Sequence, residues 1–397
     1  MTTRPRSGSA GIGGPRIDSK LPNVGTTIFT VMSKLAAEHG AINLSQGFPD
    51  FQPPAALSEA VASAMQAGFN QYAPMPGLEA LRVAIAELLQ AQYGVSANPT
   101  DQITVTSGAT EALFGAIAAV VRPGDEVIVF DPCYDAYVPA IELAGGHAIH
   151  QTLTPRSFGI DFDALADALS PRTRLLIINS PHNPSGTLLS VEDHDRLAEL
   201  LRGRDCFVLS DEVYEHVTFD GHRHASVLAH TELAERAFAV FSFGKTFHAT
   251  GWKVGYCVAP AALTIELRKV HQYLTFSTSA PMQHGIAKYL VENPAHYREL
   301  GAFYQKRRDY FSDALDTTAF SALPCHGTYF QLAEYDAISE LNDVEFCRWL
   351  TIEHGVAAIP ISVFYADAPA QQRIVRFCFA KEDATLDAAL SRLKALG

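Results

Sequence analysis

Lys245 lies in the stretch Ser242-Phe243-Gly244-Lys245-Thr246-Phe247-His248, 34 residues after Asp211 of Ser210-Asp211-Glu212-Val213-Tyr214. A lysine amine condenses with an aldehyde when burial or a neighbouring charge keeps part of it unprotonated. A carboxylate that keeps a pyridine nitrogen protonated lets the ring draw electrons from a substrate carbanion, while the protein supplies orientation and electrostatics. The chemistry this pair suits is that of pyridoxal 5′-phosphate (PLP).

Asp211 follows the apolar run Cys206-Phe207-Val208-Leu209, which reads as a buried strand with the acid at its carboxyl end. Open α/β sheets bind ligands at that end. Ser107-Gly108-Ala109-Thr110-Glu111 follows a second strand, Ile103 to Thr106, and opens the apolar helix Ala112 to Val121. Free N–H groups and the positive dipole end suit such a turn to a phosphate. Ordinary N-capping by Ser107 or Thr110 is the alternative.

Asn179-Ser180-Pro181-His182-Asn183-Pro184-Ser185-Gly186 ends another apolar run, and its turn residues fix the direction of the Asn183 amide, which can donate to a phenolate or a carboxylate. Asp131-Pro132-Cys133-Tyr134 also ends a strand, where the Tyr134 ring can stack on a pyridine or simply fill the core. Arg376 sits in Ile374-Val375-Arg376-Phe377-Cys378-Phe379-Ala380, where so apolar a setting calls for an anionic partner unless the side chain faces outward. Its planar fork suits an α-carboxylate, each charge-assisted bond contributing about 1.5 to 3 kcal/mol.

From about residue 55 to 290, helix-period segments alternate with short apolar runs such as Glu126-Val127-Ile128-Val129-Phe130, Leu175-Leu176-Ile177-Ile178 and Ala239-Val240-Phe241. That alternation predicts an α/β fold with a mainly parallel sheet sandwiched by helices. After Asn293-Pro294 the pattern changes to a helical stretch over Tyr297 to Leu315, the segment Gly327-Thr328-Tyr329-Phe330-Gln331-Leu332, a helix near Val344 to His354, a strand over Ile374 to Phe379 and a final helix from Asp383 to Leu396. This reads as a smaller α+β domain. The expected division is a leader over 1–20, an arm and small-domain segment over 21–54, a large domain over 55–293 and a small C-terminal domain over 294–397.

The 397 residues, 48% hydrophobic and 18% charged, suit a globular enzyme and not a disordered chain. A net charge of -13 argues against nucleic-acid and anionic-membrane partners. The six cysteines lack metal-ligand spacing, so no metal site is expected and reduced core thiols are. The leader has no apolar stretch of signal-peptide length, and no later run reaches the ~18 residues of a membrane span, so a cytoplasmic protein is expected. Gly11-Ile12-Gly13-Gly14 follows no strand and is a poor dinucleotide loop.

Taken in order, the stretches Asn43-Leu44-Ser45-Gln46-Gly47-Phe48-Pro49-Asp50-Phe51, Asn70-Gln71-Tyr72-Ala73-Pro74, the Asn183 turn, Asp211 to Tyr214, and Ser242 to Lys245 through Thr250-Gly251-Trp252-Lys253-Val254-Gly255-Tyr256 resemble the class I aminotransferases of PLP fold type I. Within that class the chain is similar to the bacterial methionine and the kynurenine aminotransferases. The resemblance implies a seven-stranded, mainly parallel sheet in the large domain. It further implies that Lys245 bonds to the cofactor, that Asp211 contacts the pyridine nitrogen, and that Asn183 and Tyr214 hydrogen-bond the phenolate oxygen. Gly108, Ala109, Thr110, Ser242 and Lys253 would surround the phosphate and Tyr134 would stack on the ring. Lys253 stands where the wider class has arginine, and a lysine neutralises phosphate without a planar fork. Tyr72 would reach the phosphate of a neighbouring subunit, making a homodimer part of the site. Gly47 would meet the substrate carboxylate opposite Arg376, and the N-terminal segment would cover the pocket.

The activity expected is ping-pong transamination, with Lys245 moving the substrate α-proton as base and acid. Tyr273-Leu274-Thr275-Phe276-Ser277-Thr278-Ser279-Ala280-Pro281-Met282 holds no second cation for a dicarboxylate, so the expected pocket is apolar or aromatic, with Phe276 as one wall. Methionine, phenylalanine and tyrosine suit it, with weak discrimination among them. The alternative is a C–S β-lyase acting on cysteine conjugates. A PLP-sensing regulator would need a DNA-binding domain, and the residues ahead of the resemblance are too few for one.

Overall fold

The computed structural model describes residues 17–369 and 372–396. The glycine run at 11–14 and the expected leader up to Arg16 lie outside the described residues. A short strand β1 (Ile42–Asn43) precedes the main sheet, which is built from β2 (Ile103–Thr106), β3 (Glu126–Asp131), β4 (His147–Thr152), β5 (Thr173–Asn179), β6 (Phe207–Asp211), β7 (Ala237–Ser242) and β8 (Gly255–Val258). Its seven strands run in the order β2-β8-β7-β6-β5-β3-β4, and only β8 is antiparallel to its neighbours. The expected fold is therefore present.

Strands β2, β3 and β7 bury nearly every residue, which is why they stand out as continuous apolar runs. The sequence reading passed over β4 and β8. Strand β4, His147-Ala148-Ile149-His150-Gln151-Thr152, lies at the sheet edge, where one neighbour suffices and polar side chains face water. In β8 the run is only four residues long and opens on glycine. Helices cover both faces: Ala109–Val120 packs with Ala261–Leu274, and Ala55–Gln66 with Ala280–Glu292.

Register decides where the chemistry falls. Asn179 at the end of β5 pairs with Asp211 at the end of β6. Asp211 in turn pairs with Val240 of β7, two residues before Ser242. Two expected residues, Asp211 and Ser242, thus emerge beside Asn179 at the carboxyl ends of neighbouring strands, above a core of Val208, Phe241 and Tyr256.

The second sheet comprises β9 (Ser321–Ala322), β10 (Phe330–Glu334), β12 (Ile359–Pro360) and β13 (Ile374–Cys378) in the antiparallel order β12-β13-β10-β9, while β11 (Val356–Ala357) pairs with β1. The long helix after the composition change runs Pro294–Leu315 and the last α-helix Asp383–Leu393. One apolar cluster runs continuously from Phe241 and Tyr256 to Phe330, Val375 and Phe377, so the two sheets share a core.

The arm is stitched to the second sheet. Cys378 N donates to Leu44 O at 2.8 Å and the buried Lys381 donates to Phe48 O at 2.8 Å. Asp50 accepts from Glu382 N at 2.6 Å and from the Thr385 hydroxyl at 2.8 Å, which ties the start of helix Asp383–Leu393 to a distant part of the chain and sets a carboxylate at the helix's positive end. Replacing Asp50 by alanine leaves that helix end without its acceptor, and the expected loss of stability is about 1 kcal/mol, read from the shift in denaturation midpoint.

Candidate active site

A cavity of about 260 Å³ opens where the carboxyl ends of β5, β6 and β7 meet the second sheet and the arm. Lys245, Asp211, Asn183, Tyr214, Tyr134, Ser242, Gly108, Ala109, Thr110, Lys253, Gly47 and Arg376 all line it. The sequence reading dispersed these residues over more than three hundred positions, and the fold brings them to one place.

Helix Ala109–Val120 starts at Gly108 with no side-chain cap, so neither Ser107 nor Thr110 closes its N-terminus and its first N–H groups remain available. Gly108 adopts φ +77°, and a Cβ there would come within 3.2 Å of the Lys253 side chain. The left-handed backbone favours glycine here, and a side chain would push the lysine end aside. Lys253, itself left-handed at φ +54°, brings Nζ to 3.5 Å from the Thr110 hydroxyl. An ammonium over an uncapped helix start is a built anion seat.

Asp211 is buried at the floor, where its Oδ2 accepts from the Tyr137 hydroxyl at 2.7 Å. Burial raises its pKa to about 6, against the Tyr137 hydrogen bond, which lowers it. A protonated ring nitrogen beside it would favour the ionised form. Lys245 is partly open to the cavity and enclosed by protein elsewhere. Burial brings its amine down to about 8. Its Nζ donates to Tyr329 Oη at 2.8 Å and to Gly47 O at 3.3 Å. Tyr214 is buried, with a hydroxyl pKa raised by burial, so its O–H remains a donor.

Arg376 is buried on β13, and the outward-facing alternative is excluded. Its Nη1 donates to Asn183 Oδ1 at 2.9 Å and its Nη2 to Ser45 O at 3.2 Å, while Nε is buried without a partner. The guanidinium lies 3.9 Å from the Phe330 ring centroid. Burial lowers its pKa to about 10, which leaves it charged at working pH. Because the oxygen of Asn183 is turned to Arg376, its NH₂ is free to donate elsewhere. Gly47 offers its carbonyl to Lys245 and Tyr329, and a Cβ on it would strike the Phe330 ring at 2.9 Å.

Two expected residues are elsewhere. Phe276, at φ +69° just beyond helix Ala261–Leu274, is 43% exposed and meets the 85% exposed Tyr72 edge-on at 5.3 Å. It is not a wall of its own chain's cavity, because the turn carries it to the outer surface. The apolar walls are instead Phe29, Phe48, Leu113 and Phe330. Sequence reasoning also missed Tyr137 and Tyr329, both buried tyrosines in apolar surroundings with nothing in their spacing to distinguish them from core.

These residues fit a phosphate-bearing pyridine aldehyde: an anion seat at Gly108 to Thr110 and Lys253, an acid for the ring nitrogen, an amide and a hydroxyl for a phenolate, and an amine for the aldehyde. The fold and site define a member of one family, and the chain belongs to the class I and II aminotransferases, whose profile matches residues 39–393. It is 56% identical to the methionine aminotransferase of Escherichia coli over 95% of this chain and 98% of that protein. A crystal structure of an Escherichia coli protein with methionine aminotransferase function superposes with a TM-score of 0.94 at 56% identity, covering 96% of this chain and 100% of that one. N-succinyldiaminopimelate aminotransferase of Mycobacterium tuberculosis follows at 0.93 and 41%, covering 96% and 100%. The human kynurenine–oxoglutarate transaminase 1 is 33% identical over 91% of this chain and 93% of its own length. The protein is an aminotransferase.

The lowered pKa of Lys245 has a defined sign. Below pH about 8 its amine is charged, above it neutral, and between about 8 and the ordinary lysine value of 10.5 the unfolded chain holds a proton that the folded chain does not. Stability of the cofactor-free protein should therefore gain from this group as pH rises through that window. Competitive acetylation of cofactor-free protein, read by mass spectrometry, should show Lys245 titrating near 8, below the ordinary lysine value of 10.5.

Proposed function

We propose that the protein transfers the α-amino group of methionine and of aromatic or other apolar amino acids to a 2-oxo acid, using PLP in a ping-pong cycle. The observation that carries this reading is the meeting, in one cavity, of an amine of lowered pKa, a buried acid and a buried guanidinium with an unpaired Nε. Lys245 and Asp211 would hold the aldehyde and the ring nitrogen. Gly108, Ala109, Thr110, Ser242 and Lys253 would hold the phosphate, Tyr134 the ring face, and Asn183 and Tyr214 the phenolate. Bound there, PLP supplies an electron sink for the carbanion at the substrate α-carbon.

The chain's own residues do the rest. Arg376 receives the α-carboxylate on its remaining donor edge and fixes the orientation of the Cα–H bond. Lys245, neutral in a large fraction of molecules near pH 8, takes the α-proton and would return it to the carbon of the cofactor's former aldehyde, on the far side of the shared nitrogen. Phe29, Phe48, Leu113 and Phe330 line the cavity, and the cations that line it among the described residues are Lys245, Lys253 and Arg376, all assigned above. No further cation among the described residues meets a distal carboxylate, which favours apolar side chains. The methionine aminotransferase relative supports the same choice. No observation favours the C–S lyase.

A homodimer completes the proposal. Tyr72 and Phe276, both exposed and in edge-on contact, present an aromatic surface suited to a second copy, whose phosphate seat Tyr72 would reach. We assign the large domain to 55–293 and the smaller one to 294–397 with the arm 21–54. The six free, buried cysteines suit the reducing cytoplasm, and no helix among the described residues is long and apolar enough to cross a membrane.

The test is an absorbance titration of the purified, PLP-loaded protein without an oxo acid. Methionine and phenylalanine should convert the spectrum to that of pyridoxamine 5′-phosphate and release the matching 2-oxo acid, and aspartate should not. Conversion by dicarboxylates alone would overturn the apolar pocket. Lys245→Ala should retain noncovalent PLP and lose turnover by at least about 10²-fold, measured as oxo-acid release.

A further inference from the structure

Tyr329 stands one residue ahead of β10, between the two sheets, with no exposed surface. Its hydroxyl accepts from Lys245 Nζ at 2.8 Å and donates to Gly47 O at 2.7 Å. The same Nζ donates to Gly47 O at 3.3 Å. A neutral amine carries two N–H bonds and one lone pair. With the N–H bonds committed to Tyr329 Oη and Gly47 O, the lone pair takes the remaining side of the nitrogen.

The hydroxyl has little freedom to move. Its ring is wedged edge-on against Tyr214 at 5.1 Å and Phe330 at 4.9 Å, and tilted against Tyr304 at 5.6 Å. The Tyr304 hydroxyl itself bonds away from the lysine, to His248 Nδ1 at 2.9 Å, and only its ring touches Tyr329. Burial raises the Tyr329 pKa well above the ordinary phenol value, so it stays a neutral acceptor toward the lysine and a donor toward Gly47.

We propose that Tyr329, together with the Gly47 carbonyl, is the positioning residue that aims the free amine of Lys245 at the substrate α-carbon. This deepens the reading of Lys245 as the proton-transferring base and rests on it. Without the hydroxyl the amine keeps one acceptor, at the longer distance of 3.3 Å, and its terminal bond is free to rotate. A base that spends its time in several rotamers is aimed correctly in only a fraction of encounters.

Tyr329→Phe keeps the ring contacts and removes only the hydroxyl. In PLP-loaded enzyme the half-reaction with methionine should slow about 10- to 100-fold, part of the range that a positioned base supplies. Apparent methionine affinity should stay within roughly threefold, because the substrate-binding groups are untouched. The α-deuterium isotope effect should rise as proton transfer takes a larger share of the barrier. In cofactor-free protein, competitive acetylation should show Lys245 titrating lower than in the parent, since the lost oxygen favoured the ammonium form.

Tyr304→Phe is the control, removing a neighbouring hydroxyl that bonds His248 and leaving the lysine contacts in place; it should react at the parent rate. Equal slowing in both variants would assign the effect to packing and overturn the proposal. An unchanged half-reaction rate and isotope effect in Tyr329→Phe would also overturn it. If Lys245→Ala keeps its turnover, the base assignment falls and this inference with it; if that variant is inert while Tyr329→Phe matches the parent, this inference alone falls.

Discussion

The buried guanidinium of Arg376 is the constraint around which the molecule is arranged. A charge removed from water costs several kcal/mol unless the surrounding groups replace its hydration. Here the replacements are neutral: the Asn183 amide oxygen, the Ser45 carbonyl and the Phe330 ring face. Asp135 acts on it electrostatically only as a minor influence. Each neutral partner comes from a different part of the chain: the turn after β5, the arm beyond β1, and β10 of the second sheet. Satisfying one side chain on β13 thus holds three segments around a cavity, and the unpaired Nε leaves the charge incompletely solvated. An anionic substrate group completes what the protein leaves unfinished.

The same dry setting acts on the other two ionisable groups in opposite senses. Desolvation disfavours whichever form is charged, so it lowers Lys245 to about 8 and raises Asp211 to about 6. The Tyr137 hydroxyl and the Val213 amide draw the acid back toward its charged form, while the amine stays depressed even though the Asp211 charge favours its ammonium form. That asymmetry matches the chemistry: the acid must carry charge to hold a protonated ring nitrogen, while the amine works as a base only when neutral. Register makes the arrangement possible, because the pairing of Asn179 with Asp211 and of Asp211 with Val240 sets the active groups at a common height on the sheet edge.

What could be read from the sequence follows the same physics. A polar residue at the end of, or within, an apolar run is conspicuous because its burial demands a reason, and Asp211, Asn183, Lys245 and Arg376 were legible on that ground. Tyr137 and Tyr329 were not, because a tyrosine in apolar company is already explained by packing, and its hydroxyl partner is fixed only by tertiary structure. Strands β3, β5, β6 and β7 announced themselves by burial on both faces, whereas β4 at the edge and the four-residue β8 did not. The direction of Phe276 was illegible for a related reason: a left-handed turn after the preceding helix turns the ring away from its own chain's cavity, and composition carries no sign of it.

The route by which a substrate side chain meets the cavity depends on the arm. Of the large apolar side chains that line the cavity, Phe29 and Phe48 come from the segment ahead of the main sheet, Leu113 from the helix at the anion seat and Phe330 from β10, with Val213 and Val254 beside them. Phe48 is held through its carbonyl by the buried Lys381, so its backbone is anchored while its ring, in a residue 46% exposed, remains at the mouth. Backbone anchoring with a free ring gives a wall whose position is set by the fold and whose shape adapts to the guest. Such a wall tolerates a thioether or an aromatic ring without charging much for the difference, since one methylene in an apolar pocket is worth only about 1–3 kcal/mol. Selection against dicarboxylates follows from a different principle, the cost of burying a second carboxylate where every cation is already engaged. The site is accordingly built to be strict about charge and permissive about shape.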